Sequence, residues 1–365
     1  MNPLNRRGFL KLGAVAGAAG AAAACGSGGD TPATGAATGS ADLAALTATL
    51  RLMCWSGLIE PIVKDYAISE FSKTYGNAKV ELEINTNAEW YPKMMATKAQ
   101  GEYAGGMVND LFCARGNLDK AWAKPDLANM PNAKSVPAKL NPPGDLGVTV
   151  FLTGGGISYN PDKIKSITSW TDMYRPEYKG RVAMSDGGFM PFAMASVADG
   201  GDPNDIKRGV DIWAKYKDNI GAWAASEGQR AEMVSSGTMW LTPSYGAWAE
   251  QERVKGRTLK FAAPEEGMLG FYAAMQIIDG ISGQEKALTE ALFNQFYSEA
   301  TQAQFVKQGF FIPARSGVAV PEDIRAQSAA VMTADEAAAK LVQYDPEKMA
   351  AEQRELLTYI QRNLK

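Results

Sequence analysis

From Leu50 onward the chain switches repeatedly between a strand period and a helix period, and this alternation restricts the fold more than any other feature. Leu50-Arg51-Leu52-Met53-Cys54-Trp55 alternates and then turns polar at Ser56-Gly57, the pattern of a first strand. Pro61 opens a helical stretch with Ile62, Tyr66, Ile68 and Phe71 on one face, ending near Tyr75-Gly76. Lys79 to Ile84 alternates again. Asn87 is expected to cap a helix carrying Tyr91, Met94 and Met95. Val108 to Cys113 is expected as a third strand, running into Ala114-Arg115-Gly116-Asn117. Strand, helix, strand, helix, strand within about 65 residues predicts βαβ units and a parallel sheet.

The rest of the body continues in the same style. Residues 123–147 hold five prolines and read as loop. Val148–Leu152 and Ile157–Tyr159 are extended segments flanking Gly154-Gly155-Gly156, which is either a bend between domains or a bulge or tight turn within one. No Gly-Lys-Ser/Thr follows, so the run is not a phosphate loop. Ser169-Trp170-Thr171-Asp172 starts a short helix, Arg181–Met184 returns as a strand, and Asp186-Gly187-Gly188 leads into a helix over 190–198. A helix near 204–217, a segment Ala222–Ser226, and strands at Leu259–Ala262 and Phe271–Ile278 follow. Residues 284–308 are helical. The last two helices start at Thr333-x-x-Glu336, a capping box, and at Asp345-Pro346, an N-cap with proline at N1.

The N-terminus is an address. Asn5-Arg6-Arg7-Gly8-Phe9-Leu10-Lys11 is a twin-arginine export signal. The Ala/Gly run after it is shorter than the roughly 20 apolar residues a membrane span needs. It ends in Ala22-Ala23-Ala24-Cys25, which resembles a bacterial lipobox; Cys25 is then either the lipid-bearing first mature residue or simply follows an ordinary cleavage site. A Gly/Ser/Ala/Thr/Pro tether follows; about 18 flexible residues would span about 25 Å root-mean-square.

Composition narrows the chemistry. The chain has no histidine, which removes Ser-His-Asp and Cys-His catalysis and histidine zinc sites together. The formal net charge of -3 leaves no basic surplus for nucleic acid. Ala224-Ala225-Ser226-Glu227-Gly228 has the outline of a nucleophile elbow without a histidine base. No acidic cluster has calcium spacing, and adjacent tyrosines of the kind used for ferric ion are missing, so no metal or cofactor is expected.

Export signal, lipobox, tether and an α/β chain that leaves one half and returns to it resemble a bacterial periplasmic solute-binding protein, the receptor of an ABC importer. Ser169-Trp170-Thr171-Asp172-Met173-Tyr174-Arg175-Pro176-Glu177-Tyr178-Lys179-Gly180 is similar to the S-W-x-D-L-x-x-P-E-Y-K-G segment of the spermidine/putrescine-binding branch. Cys54-Trp55-Ser56, Pro264-Glu265-Glu266-Gly267 and the loop Gly309–Pro313 resemble further segments of that branch. The resemblance implies a type II periplasmic-binding-protein fold, α/β, with two lobes, each a mostly parallel sheet flanked by helices, joined by a hinge of crossover strands. It implies a signal peptide over 1–24, a tether over 25–46, and lobe 1 over 47–153 and 267–330. Lobe 2 is then 154–266, and 331–365 are C-terminal helices on the body. It further implies a monomer that binds a small polar solute and docks on a membrane permease, held to the membrane through lipid alone. A histidine-free enzyme and a ligand sensor are the competing readings.

At the positions that choose ligand, the chain departs from the polyamine pattern. Asp186 keeps the first acid of that branch's T-D-D-x-x-E segment, while Gly187 and Met190 replace the second and the glutamate. Ala273 replaces an aspartate of the return strand, and Arg115 and Asn117 stand where Ser and Tyr are expected. This points to an anionic or zwitterionic ligand in place of a polyamine, since a buried ammonium without a counter-ion costs several kcal/mol. Trp55 with Ser56 is a stacking wall or a core residue; Arg115 clamps an anion or sits in a surface ion pair. Asp186 meets a ligand amine or caps a helix. Tyr245 offers a ring and a hydroxyl, and only one of Phe271 and Tyr272 can face the cleft. Ser226 and Gln229 are further candidates. Cys54 and Cys113 are expected as buried free thiols.

Overall fold

The computed structural model describes residues 43–365; the export signal, Cys25 and the tether as far as residue 42 lie outside them. Eleven strands are present among the described residues. They are β1 (Ala48–Cys54), β2 (Ala78–Ile84), β3 (Gly105–Asn109), β4 (Trp122–Ala123), β5 (Gly147–Tyr159) and β6 (Val182–Ser185), then β7 (Ile220–Ala224), β8 (Leu241–Tyr245), β9 (Lys260–Ala262), β10 (Leu269–Ile278) and β11 (Ile312–Pro313). The main path runs β2-β1-β3-β10-β5-β8-β6-β7. The three strands at each end are parallel to one another, as βαβ crossovers demand. Antiparallel pairings of β10 and β5 join the two groups.

Two large apolar cores lie along this sheet. One gathers Leu50, Phe71, Trp90, Val108, Phe151, Leu292 and Phe311. The other gathers Ile157, Trp170, Val182, Phe192, Trp213 and Leu241, with Met349, Leu356 and Ile360 from the final helix Pro346–Leu364. Burying each such side chain contributes roughly 1.5–3 kcal/mol. The capping boxes at Ser169 and Thr333 form, and Asp345 caps the final helix by accepting from the N–H groups of Glu347 (2.9 Å) and Lys348 (3.1 Å).

Three expectations are corrected, and one stretch had none. The third strand stops at Asn109, whose side chain accepts from the Phe112 N–H (3.1 Å) and so starts a helix, Asp110–Leu118. Cys113, Arg115 and Asn117 are therefore helical. The cap of the helix Asn87–Thr97 is Thr86, and Asn87 itself is buried. Gly154-Gly155-Gly156 is neither bend nor turn but the middle of the unbroken, fully buried β5. Glycine is needed there for close approach, because a Cβ at Gly155 would lie 2.1 Å from the Met190 sulfur and one at Gly156 would lie 2.4 Å from the Ala262 carbonyl oxygen. Lastly, the helices Glu227–Ser235 and Gly246–Val254 and the strand β8 between them had no clear sequence signal.

Candidate functional site

The C-terminal ends of β1 and β3 and the start of β10 converge on an aromatic pocket. Trp55, the residue after β1, is partly buried, with its ring centroid 5.9 Å from Phe151 and 6.2 Å from Phe271. Phe271 in turn lies 4.9 Å from Tyr245 at the end of β8 and 5.6 Å from Trp248 in the next helix. The rings meet tilted or edge-on, the arrangement their quadrupoles favour. Trp55, Trp248 and Phe271 form the walls of a cavity of about 250 Å³. Its polar edge is Ser56, Asn85, Thr86, Asn87 and Asn109, and no ionisable side chain lines it.

That edge is held in place from behind. Asn87 donates to the Met107 carbonyl (3.0 Å) and accepts from the Asn109 N–H (3.0 Å), tying the end of β3 to the helix that follows β2. The helices Asn87–Thr97 and Asp110–Leu118 both begin at the cavity, so positive dipole ends face it from two directions. Trp248, Asn85, Thr86, Asn87 and Asn109 escaped the sequence reading. For Trp248 the available signal was its place three residues beyond Tyr245, one turn into a helix.

The other sequence candidates scatter. Tyr272, opposite in parity to Phe271, is buried on the far face of β10, and its hydroxyl has no protein partner. Arg115 is exposed on its helix, 3.6 Å from the Asp119 carboxylate and 5.6 Å from the Tyr91 ring centroid. Asn117 donates to the Pro143 carbonyl (3.0 Å) and to the Glu347 carboxylate (3.1 Å). Neither residue lines the aromatic cavity. Ser226 caps the helix Glu227–Ser235 in a capping box with Gln229.

Asp186 is exposed and caps nothing: the helix Met190–Ala198 has no side-chain cap. It pairs with Lys365, whose ammonium sits 4.5 Å from the Trp223 ring centroid. Asp186, Trp223 and Gln229 line a second concavity of about 560 Å³, together with Glu232 and Arg257.

Burial shapes the titratable groups nearby. Asp110 is buried at the first turn of its helix, and desolvation pushes its carboxyl up to about 6, opposed by a hydrogen bond from the Tyr344 hydroxyl (2.6 Å). Burial likewise pushes the Cys54 thiol up to about 12 and raises that of Cys113. Both cysteines are free and buried, inert toward oxidation by the same desolvation. Among the described residues no group of three or more acidic or thiol side chains is placed to hold a metal, and no helix is long and apolar enough to cross a membrane.

A mixed α/β chain with two cores, joined by crossing strands and with an aromatic pocket at the strand ends, is built as a ligand-binding protein. It belongs to the bacterial extracellular solute-binding protein family, whose model matches residues 66–334. It is 28% identical over 192 residues to spermidine/putrescine-binding periplasmic protein 1 of Haemophilus influenzae, covering 48% of this chain and 51% of that one, about half its length. The spermidine/putrescine-binding periplasmic protein of Salmonella typhimurium is 25% identical over 66% of this chain and 70% of its own. Among solved structures, the spermidine/putrescine ABC transporter substrate-binding protein PotD of Streptococcus pneumoniae superposes with a TM-score of 0.71 at 17% identity, covering 87% of this chain and 99% of that one. The Atu4243 GABA receptor gives 0.70 at 15%, covering 87% and 98%. The serine of the elbow-like Ser226 segment caps its helix in a capping box with Gln229.

Proposed function

We propose that this chain is the exported receptor of an ABC importer, tethered through Cys25, which closes two lobes on a small polar solute and presents the closed form to a membrane permease. Lobe 1 comprises residues 47–153 and 267–330 and lobe 2 residues 154–266, with β5 and β10 as the crossover strands. Closure is then a hinge motion driven by ligand contacts to both lobes.

The observation that carries the ligand assignment is the aromatic cavity between Trp55, Trp248 and Phe271, polar at its rim and free of carboxylates. Such a site takes a solute with a flat or apolar body and an uncharged, anionic or zwitterionic head, the head facing the Asn109 amide and the two helix N-termini. A polyamine would leave its ammonium groups there without counter-ions. Arg115, engaged with Asp119 and Tyr91, adds nothing to this assignment. The competing ligand is a polyamine, favoured by the names of the relatives and by Asp186.

A thermal-shift panel of amino acids, carboxylates, phosphonates, spermidine and putrescine, followed by calorimetry on the hits, decides between them. A solute at 100 times its dissociation constant adds about 2.7 kcal/mol of stability, a readily measured rise in melting temperature. Micromolar spermidine binding with no response to the acids would overturn the assignment.

A further inference from the structure

The chain passes between its two cores a third time, after β5 and β10. Leu341 is buried in the first core and Met349 in the second. Between them, Val342 runs beside the start of β10: its N–H donates to the Met268 carbonyl (2.9 Å) and its carbonyl accepts from the Gly270 N–H (2.8 Å). Two side chains of this segment then reach back. The Tyr344 hydroxyl donates to the buried Asp110 carboxylate (2.6 Å), and Glu347 accepts from Asn117 (3.1 Å). Both partners belong to the helix that follows β3. Beyond Glu347 the final helix is fixed to the second core by Met349, Leu356 and Ile360, and by a Tyr359–Asp211 hydrogen bond of 2.7 Å.

We infer that Tyr344 and Asp110 form a latch between the lobes, with Leu341–Glu347 as the strap that carries it; this rests on the two-lobe receptor reading above. Tyr344 packs against the second core on a strap that leaves the first at Leu341, and Asp110 starts a helix whose Cys113 is in the first core and whose Leu111 rests on the second. The lobes cannot part along this edge without breaking the bond. An apolar contact at this place would hold the lobes over a range of separations, whereas a short, directional bond to a carboxylate defines one. Opening breaks that bond and hydrates Asp110, so the hydrogen bond and the desolvation of the carboxyl oppose one another in setting the balance of the two states, and ligand contacts made to both lobes add to the closed side. The latch also bears on the site. Asn109, at the rim of the aromatic cavity, immediately precedes Asp110, so the latch is continuous in the chain with that rim.

Small-angle X-ray scattering of the whole protein, without ligand and with spermidine or γ-aminobutyrate, tests this. Tyr344→Phe and Asp110→Ala should each enlarge the radius of gyration at an unchanged circular dichroism spectrum. The shift should correspond to a roughly three- to tenfold rise in the open fraction, the worth of one hydrogen bond. Tyr359→Phe, which removes a similar bond within the second half, should leave the curve unchanged. If Tyr359→Phe expands the protein as much as Tyr344→Phe does, the effect is general loosening and the latch is refuted. If the variants leave the curve unchanged while a ligand compacts the wild type, the two-lobe reading stands and the latch falls. Should neither variant nor ligand move the curve, both fail.

Discussion

The two concavities at the strand ends are built from opposite chemistry. Beside β1 and β3, Trp55, Trp248 and Phe271 enclose space between rings that pack on one another and on the core, and amides complete the rim. Beside β6 and β7, Asp186, Glu232 and Arg257 surround Trp223 in the open, and they satisfy one another's charges: Arg257 pairs with Glu232 and Glu252, Asp186 with Lys365. The Asp186–Lys365 pair is largely exposed and changes partners at small cost, whereas Arg257 is half-buried against Glu252. On the proposed reading, one wall is held by its own aromatic packing, while the other is a set of charges for which a ligand could compete. A solute that stacks on the first and exchanges ions with the second would draw the halves together.

The largest effect should come from the aromatic wall. Phe271→Ala removes the ring that touches Trp55, Tyr245 and Trp248, and should cost about 2–4 kcal/mol of affinity for whichever solute gives the strongest thermal shift. Calorimetry measures this directly, and undiminished affinity would move the site away from the aromatic cavity.

Next comes the acid between the two regions. Burial raises the Asp110 carboxyl from 3.8 to about 6, so the folded protein holds this proton more tightly than the unfolded chain. Its contribution to stability is fully present below pH 3.8 and is lost as pH rises to about 6; above that the charged group costs on the order of 2–4 kcal/mol. Asp110→Asn keeps an acceptor for Tyr344 and should be more stable than the parent at pH 7, with a flatter pH dependence of urea unfolding between pH 4 and 6. Identical slopes in the two proteins would show that the carboxyl is hydrated in the fold.

The smallest effects belong to the exposed ions. Arg115→Ala should change stability by less than about 1 kcal/mol and leave solute affinity unaltered. If it abolishes binding, the site extends along the helix Asp110–Leu118 and the contrast between an aromatic wall and an ionic wall is too simple.

How far the sequence carried the argument follows from the range of the interactions. Local signals read well: the alternation at 50–55 and 79–84, the short helix starting at Ser169, the capping box at Thr333 and the Asp345-Pro346 start all correspond to observed elements. The placement of Trp55 beside a strand end and the opposed faces of Phe271 and Tyr272 followed from strand geometry alone. What failed depended on one short polar residue or on contacts distant in sequence. Val108 to Cys113 looks strand-like because only Asn109 and Asp110 interrupt its apolar run, and it is the Asn109 cap that redirects the chain. Arg115 and Asn117 entered the candidate list through the family resemblance and their place just past that strand; in the fold they are helical and do not line the aromatic cavity. The triple glycine could not be understood without Met190, Met268 and Ala262, which press on it from elsewhere in the chain. Trp248 and the Asn85–Asn87 rim assemble only once β1, β3 and β10 lie side by side.

The unbroken course of β5 has a mechanical consequence. All thirteen of its residues are buried, and it exchanges backbone hydrogen bonds with β10 along one stretch and with β8 and β9 along the next. A ribbon joined in this way is stiff to sliding, because displacement along the strands loads every rung at once, but it is compliant to twist, which strands already possess. Any relative motion of the two halves is therefore channelled into rotation about the ribbon, with strain spread over many residues as in a torsion bar.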